Sequence, residues 1–78
     1  MSQMIEIYYR KPADAERERE IQNSVREFGG QITYREDDVP YGICLTIEFC
    51  DRASAELACN RLRDRGEHVE GPMQYGDD

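Results

Sequence analysis

The chain is poor in lysine and rich in carboxylates. Lys11 is its single lysine, and 10 Lys and Arg stand against 17 Asp and Glu, so the formal net charge is -7 over 78 residues. Proteins that bind the phosphate backbone of nucleic acids take most of their affinity from Lys and Arg, and anionic membrane surfaces attract the same residues. The composition therefore argues against both classes of partner. It favours a basic protein or a second copy of the chain.

The chain also lacks a long apolar run. Glu6 and Arg10 interrupt the apolar residues near the amino terminus, whereas a signal peptide or a membrane span needs a longer uninterrupted stretch. The three cysteines, Cys44, Cys50 and Cys59, are odd in number and show no Cys-x-x-Cys spacing. That usage is typical of a reducing compartment rather than of a disulfide framework. We therefore predict a cytoplasmic protein that binds no membrane.

The length allows one small domain. A chain of 78 residues buries only about 60% of the surface that it exposes when unfolded, so its core is thin. We predict a single domain over residues 1–78, in which residues 74–78 form a loose tail.

The clearest pattern is a strand that leads into a helix. From Ile43 to Phe49 every second residue is apolar, which predicts a strand with one buried face. Asp51 supplies a side-chain acceptor for the first amides of a helix, and Gly66 ends that helix. The apolar stripe of the predicted helix is formed by Ala55, Ala58, Cys59 and Leu62.

Residues 4–10 show the same alternation and predict another strand. Its inward residues are Ile5, Ile7 and Tyr9. Asp14 can then cap a helix that ends at Gly29 and Gly30. The narrow apolar stripe of that helix is formed by Ile21, Val25 and Phe28.

Two weaker strands are predicted at residues 31–36 and 68–73, with a turn over residues 36–42. Their inward residues are Ile32 and Tyr34 in the first strand, and Val69 and Met73 in the second. Their outward residues are Thr33, Arg35, His68 and Glu70. The first of these strands has few apolar positions, and the second contains Gly71 and Pro72. Both strands are therefore predicted at the edges of a sheet.

The order strand, helix, strand, strand, helix, strand predicts an α+β fold, the ferredoxin-like α/β plait. In that plait the first and third strands are central, and in this chain they are the most apolar. Both helices should cover one face of an antiparallel sheet and leave the other face open.

The open face is the predicted site. Its outward residues Tyr8 and Thr46 are expected to contact a partner, and Glu6, Arg10 and Glu48 to form a polar rim. We predict a small acidic interaction or regulatory module that associates with a second copy through this face or an edge strand. Another protein, for example a basic one, is the other expected partner.

Residues 47–52, followed by Ala55 and Ala58, resemble the end of the third strand and the start of the second helix of the RNA-recognition motif. That family stacks bases on aromatic side chains of its third strand. The corresponding outward positions of this chain hold Cys44 and Thr46. We therefore interpret the resemblance as one of topology and predict no nucleic-acid partner.

The layout also resembles the small-molecule-sensing domains of the ACT type, which dimerise through their sheets. That resemblance implies a ligand site at a dimer interface, although residues 10–13, the first strand–helix turn, lack the usual glycine. A sensor of this kind is the alternative prediction.

Catalysis and metal binding have little support in the sequence. His68 is the one residue with an ordinary pKa near neutrality, and no nucleophile or paired carboxylate can be placed beside it from spacing. The acidic run 36–38 lacks the glycine-containing spacing of a calcium loop. We predict no enzyme activity, no metal and no cofactor.

Overall fold

Six elements follow one another along the chain in the predicted order. The structure is a computed structural model that describes residues 2–40 and 42–75. The elements are β1 (Ser2–Arg10), α1 (Ala15–Arg26), β2 (Gln31–Val39), β3 (Gly42–Phe49), α2 (Arg52–Asp64) and β4 (His68–Tyr75).

Both helices begin at the predicted aspartates and end at the predicted glycines. The side chains of Asp14 and Asp51 each accept a backbone N–H three residues further on, at 3.0 and 2.7 Å, which satisfies an amide that the helix itself leaves unpaired. Gly29 and Gly66 take positive φ angles of 80° and 93°, a conformation that glycine adopts without strain. At 12 and 13 residues, neither helix of the described chain is long and apolar enough to cross a membrane.

The four strands form one antiparallel sheet in the order β2-β3-β1-β4. The two most apolar strands, β1 and β3, are central, as predicted. A central strand has a neighbour on each side, and those neighbours pair its backbone groups. The fold is α+β, with four antiparallel strands and two helices, and it is compatible with a ferredoxin-like plait.

The core lies between the two helices and one face of the sheet. The inward residues predicted for β1 and β3 are all buried in it: Ile5, Ile7, Tyr9, Ile43, Leu45, Ile47 and Phe49. The helices contribute Ile21, Val25, Ala55, Ala58, Cys59 and Leu62. Small residues on α2 let that helix lie close to the sheet, and the alternation in the strands fixes which face it covers.

The predicted inward position of Tyr34 is wrong. Ile32 pairs with Ile47, but Tyr34 pairs with the next residue of β3, Thr46. The strand β2 therefore carries one extra residue at Thr33, and such a bulge reverses the faces of the residues that follow. Tyr34 lies on the same side as Thr46, away from the helices, and is 59% exposed.

The predicted outward position of Arg35 is wrong for the same reason. Arg35 pairs with Leu45, and on the helix side its Nε and Nη2 donate to the two carboxylate oxygens of Glu18 at 2.8 and 3.1 Å. The hydroxyl of Tyr9 also donates to Glu18 and accepts the backbone N–H of Asp14 at 3.0 Å. We call Tyr9, Glu18 and Arg35 the Glu18 network. It joins β1, α1 and β2.

Burial and hydrogen bonds act in opposite directions on the pKa of Glu18, the carboxyl at the centre of the Glu18 network. Burial by itself would raise the pKa of the Glu18 carboxyl, but the hydrogen bonds from Arg35 and Tyr9 outweigh burial and lower that pKa. Burial and the bond to Glu18 raise the pKa of Tyr9. The carboxylate is therefore charged, and the phenol neutral, across the physiological range.

The inward position predicted for Met73 is also wrong. Glu70 pairs with Glu6 and Met73 with Met4, so two residues of β4, Gly71 and Pro72, lie opposite a single residue of β1, Ile5. Gly71 takes a φ of 113° at this bulge, and a Cβ on it would lie 2.9 Å from the carbonyl oxygen of Met4. The bulge therefore places Met73 on the side away from the helices, whereas Val69, before the bulge, is inward as predicted.

Two strands are longer than predicted. The strand β2 continues through the predicted turn to Val39, and Tyr41 lies outside the described residues. The strand β4 continues to Tyr75, where Gln74 pairs with Gln3 and Tyr75 with Ser2. The prediction of a loose tail is thus wrong for residues 74 and 75, and residues 76–78 lie outside the described chain.

Candidate functional site

The open face is the side of the sheet opposite the helices. All five residues predicted to bind a partner lie on it: Glu6, Tyr8, Arg10, Thr46 and Glu48. The face also carries Met4, Gln31, Thr33, Tyr34, Glu36, Cys44, His68, Glu70 and Met73. Their role in binding stays a prediction, but the sheet does bring these side chains to one surface.

The middle of the open face is a hydrogen-bonded group on β1. The hydroxyl of Tyr8 donates to Glu6 Oε1 at 3.1 Å. Burial, and then this bond to a carboxylate, raise the pKa of Tyr8, so it stays a neutral donor. The ring of His68 on β4 lies beside Tyr8, with 6.0 Å between ring centroids. This group gives the face an aromatic and acidic centre.

Thr46 lies at the bottom of the surface. It is only 7% exposed, because it sits in register between Glu6 on β1 and Tyr34 on β2, which are larger. Cys44 is 5% exposed beside it, and burial raises the pKa of its thiol. A partner on this face would therefore meet Glu6 and Tyr34 before it reached Thr46.

Each of the four strands places one glutamate on the open face. They are Glu36 on β2, Glu48 on β3, Glu6 on β1 and Glu70 on β4. Against these four stand Arg10, at the end of β1, and His68, whose Nε2 lies 3.4 Å from Glu70 Oε2. The face is therefore acidic.

One pair of these glutamates is electrostatically unfavourable. Glu6 and Glu70 are direct cross-strand partners, and like charges in that position destabilise a sheet by roughly 0.2–1 kcal/mol. Glu70 is otherwise well exposed, so a neutral or basic residue would fit there without a change in packing. The fold alone does not explain this pair.

Sequence reasoning missed part of the surface. The sequence pattern predicts Tyr34 in the core and Glu36 in a turn, because nothing in the sequence marks the bulge at Thr33. The sequence does contain a signal for the outward position of Met73. A glycine inside a strand often marks a bulge, and Gly71 lies two residues before Met73.

Metal ligands do not converge in the described chain. Within residues 2–40 and 42–75, no group of three or more His, Cys, Asp or Glu side chains could hold a metal ion. No model of a protein family, no curated protein and no solved structure matches the chain. The proposal for its function therefore rests on the open face and the charges that it carries.

Proposed function

We propose that the chain is a small acidic, non-catalytic interaction module with a ferredoxin-like plait, and that its open face binds a basic segment of another protein. The observation that supports this proposal is the set of four glutamates, one from each strand, on a sheet face that carries no helix in the described chain. Complementary charge steers partners together and selects among them.

The topology and the cysteines support the remaining parts of the proposal. Two central strands, two edge strands and both helices on one side are the arrangement of the plait. Cys44, Cys50 and Cys59 are free thiols, which favours a reducing, cytoplasmic location.

A basic partner fits the open face better than a second copy. Two copies that met through this face would bring both sets of glutamates together, and like charges across an interface cost several kcal/mol. The edges are also poorly suited to pairing, because bulges at Thr33 and Gly71 bend both edge strands. The alternative of a small-molecule site shared by two copies requires a dimer and stays a prediction.

The Glu6–Glu70 pair, which belongs to the same set of glutamates, gives further support. A surface with no binding role has no reason to keep like charges opposite each other, because they lower the stability of the fold. Binding sites, in contrast, commonly keep features that cost stability. Tyr8 and Tyr34 lie on the same face. Tyrosine offers a large contact area, and its ring attracts Arg and Lys.

The test is a titration with a fluorescent peptide of alternating basic and serine residues, at low salt. We expect Glu6→Gln with Glu70→Gln to weaken binding about tenfold, because both carboxylates face the partner. The same double substitution should raise the free energy of unfolding by about 0.2–1 kcal/mol, because it removes the like-charge pair. Fluorescence anisotropy and urea denaturation measure the two effects.

The matched control is Glu16→Gln with Glu56→Gln. It changes the net charge equally, but at exposed positions on α1 and α2, and should alter the affinity no more than about twofold. Equal losses in both double variants would show that only net charge matters and would contradict a site on the open face. A dimer in light scattering whose dissociation constant changes in Glu6→Gln with Glu70→Gln, but not in the control variant, would replace the basic partner by a second copy.

A further inference from the structure

A pocket opens at one corner of the open face, where β2 begins and β3 ends. Its volume is about 220 Å³. We call it the corner pocket, and its lining includes Ser2, Gly29, Gln31, Thr33, Glu48 and Cys50. Phe49 also lines the pocket, and a Cβ placed on Gly29 would meet nothing within 4 Å.

Glu48 is the only charged residue of this lining, and no side chain in the described part of the chain pairs with it. Its carboxylate forms no hydrogen bond or ion pair with any other residue that the structure describes, although the residue is half-buried. In contrast, Glu6 accepts a bond from Tyr8, and Glu70 lies beside His68. A carboxylate that is partly withdrawn from water gains most from a cation.

The other polar atoms of the corner pocket suit the same ligand. The hydroxyl of Thr33 and the side-chain oxygen of Gln31 can both accept hydrogen bonds, and both residues lie on β2 next to Glu48. An ammonium has three donors and a guanidinium five, with no acceptor in either group. A carboxylate with two neutral acceptors around it therefore matches a cationic head group.

The size of the pocket restricts what enters it. Sites for drug-sized ligands occupy roughly 300–1,000 Å³, so the corner pocket has room for a single long side chain. The pocket also lies on the proposed binding surface. Glu48 pairs with Met4 in the sheet, and Glu6 is the next residue of β1 on the same face. Interfaces often place one anchoring side chain in such a pocket.

We infer that the corner pocket receives one lysine or arginine side chain of the basic partner, with its cationic head on Glu48. This inference rests on the proposed function and adds the anchor by which the partner is held. Thr33 and Tyr34 follow each other in β2 and both lie on the open face, because the bulge interrupts the alternation between them.

The first experiment uses the two side chains as free molecules. n-Butylammonium, which corresponds to the lysine side chain, and n-propylguanidinium, which corresponds to the arginine side chain, are titrated into isotopically labelled protein, and amide shifts are followed by NMR. We expect saturable shifts at Gln31, Thr33 and Glu48 that disappear in Glu48→Gln and persist in Glu36→Gln, a glutamate of the same face outside the pocket. The probe that saturates at the lower concentration identifies lysine or arginine. Shifts that do not saturate, or that survive in Glu48→Gln, would overturn the inference.

The second experiment fills the pocket without changing its charge. Cys50 is an exposed thiol, whereas Cys44 and Cys59 are buried, so iodoacetamide should modify Cys50 first. The added carbamoylmethyl group should lower the affinity for the basic peptide about tenfold, and bound peptide should slow the modification. Unchanged affinity after complete modification of Cys50 would count against an anchor in this pocket.

The peptide titration separates failure of the inference from failure of the proposed function. We expect Glu48→Gln to weaken peptide binding about tenfold and Glu36→Gln only about twofold. If the peptide binds and both variants lose affinity equally, the pocket is not the anchor, and the proposed function stands. If the peptide does not bind but the binding of the two free cations saturates only when Glu48 is present, the pocket is a cation site and the proposed function fails.

Discussion

Gly30→Ala is expected to lower the free energy of unfolding by about 2–3 kcal/mol. A Cβ on Gly30 would lie 2.6 Å from Phe49 Cζ and closer still to Cε2, whereas carbon atoms pack best at roughly 3.5–4.0 Å. The ring of Phe49 is only 2% exposed and cannot move away without opening a gap in the core. A chain of this length has a total stability of roughly 4–12 kcal/mol, so the loss is a large fraction. Urea denaturation measures it.

Gly29→Ala is the matched control, since the neighbouring glycine is needed for a different reason. Gly29 takes a φ of 80° with open space around it, so alanine there meets only backbone strain, about 1 kcal/mol. Replacing Phe49 by leucine should recover part of the loss in Gly30→Ala and none of the loss in Gly29→Ala. A Gly30→Ala variant as stable as the natural chain would contradict the packing of β3 against the end of α1.

Glu18→Gln is expected to lower the free energy of unfolding at neutral pH by about 1–2 kcal/mol. The substitution keeps the shape of the side chain but removes the charge that Arg35 and Tyr9 bind. The expected loss of stability is no larger because Arg35 is more than one-third exposed, and solvent screens its interaction with Glu18.

The pH dependence of Glu18→Gln has a defined sign. Because the pKa of Glu18 is lower in the folded chain, its contribution to stability is present above the unfolded pKa, about 4.3, and is lost as pH falls through the folded pKa. The difference between Glu18→Gln and the natural chain should therefore be largest near neutrality and disappear in acid. The control Glu16→Gln, at an exposed position of the same helix, should show no such difference. A gap between the two chains that persists in acid would contradict the Glu18 network.

The sequence predicted the elements well wherever a local pattern sufficed. The alternation in β1 and β3 is uninterrupted, and Asp14 and Asp51 are side chains that can cap a helix without help from the rest of the fold. Since those two strands are central, the five candidate site residues were placed on the correct face.

The edge strands could not be predicted as well, because tertiary contacts set their register. Thr33 is an ordinary strand residue, and the sequence does not show that an extra residue there turns Arg35 towards Glu18. The same bulge brings Tyr34 and Glu36 to the open face. The part of the candidate site that these two residues form therefore depends on a register shift that no local pattern indicates.

The central claim is that a basic segment binds the open face. The most direct measurement is the NMR spectrum of the labelled chain as the basic peptide is added at low salt. The account predicts that the largest amide shifts fall on Glu6, Thr46, Glu48 and Glu70, on three different strands, and that added salt reverses them. Shifts confined to α1 and α2, or absent at a peptide concentration that saturates anisotropy, would contradict it.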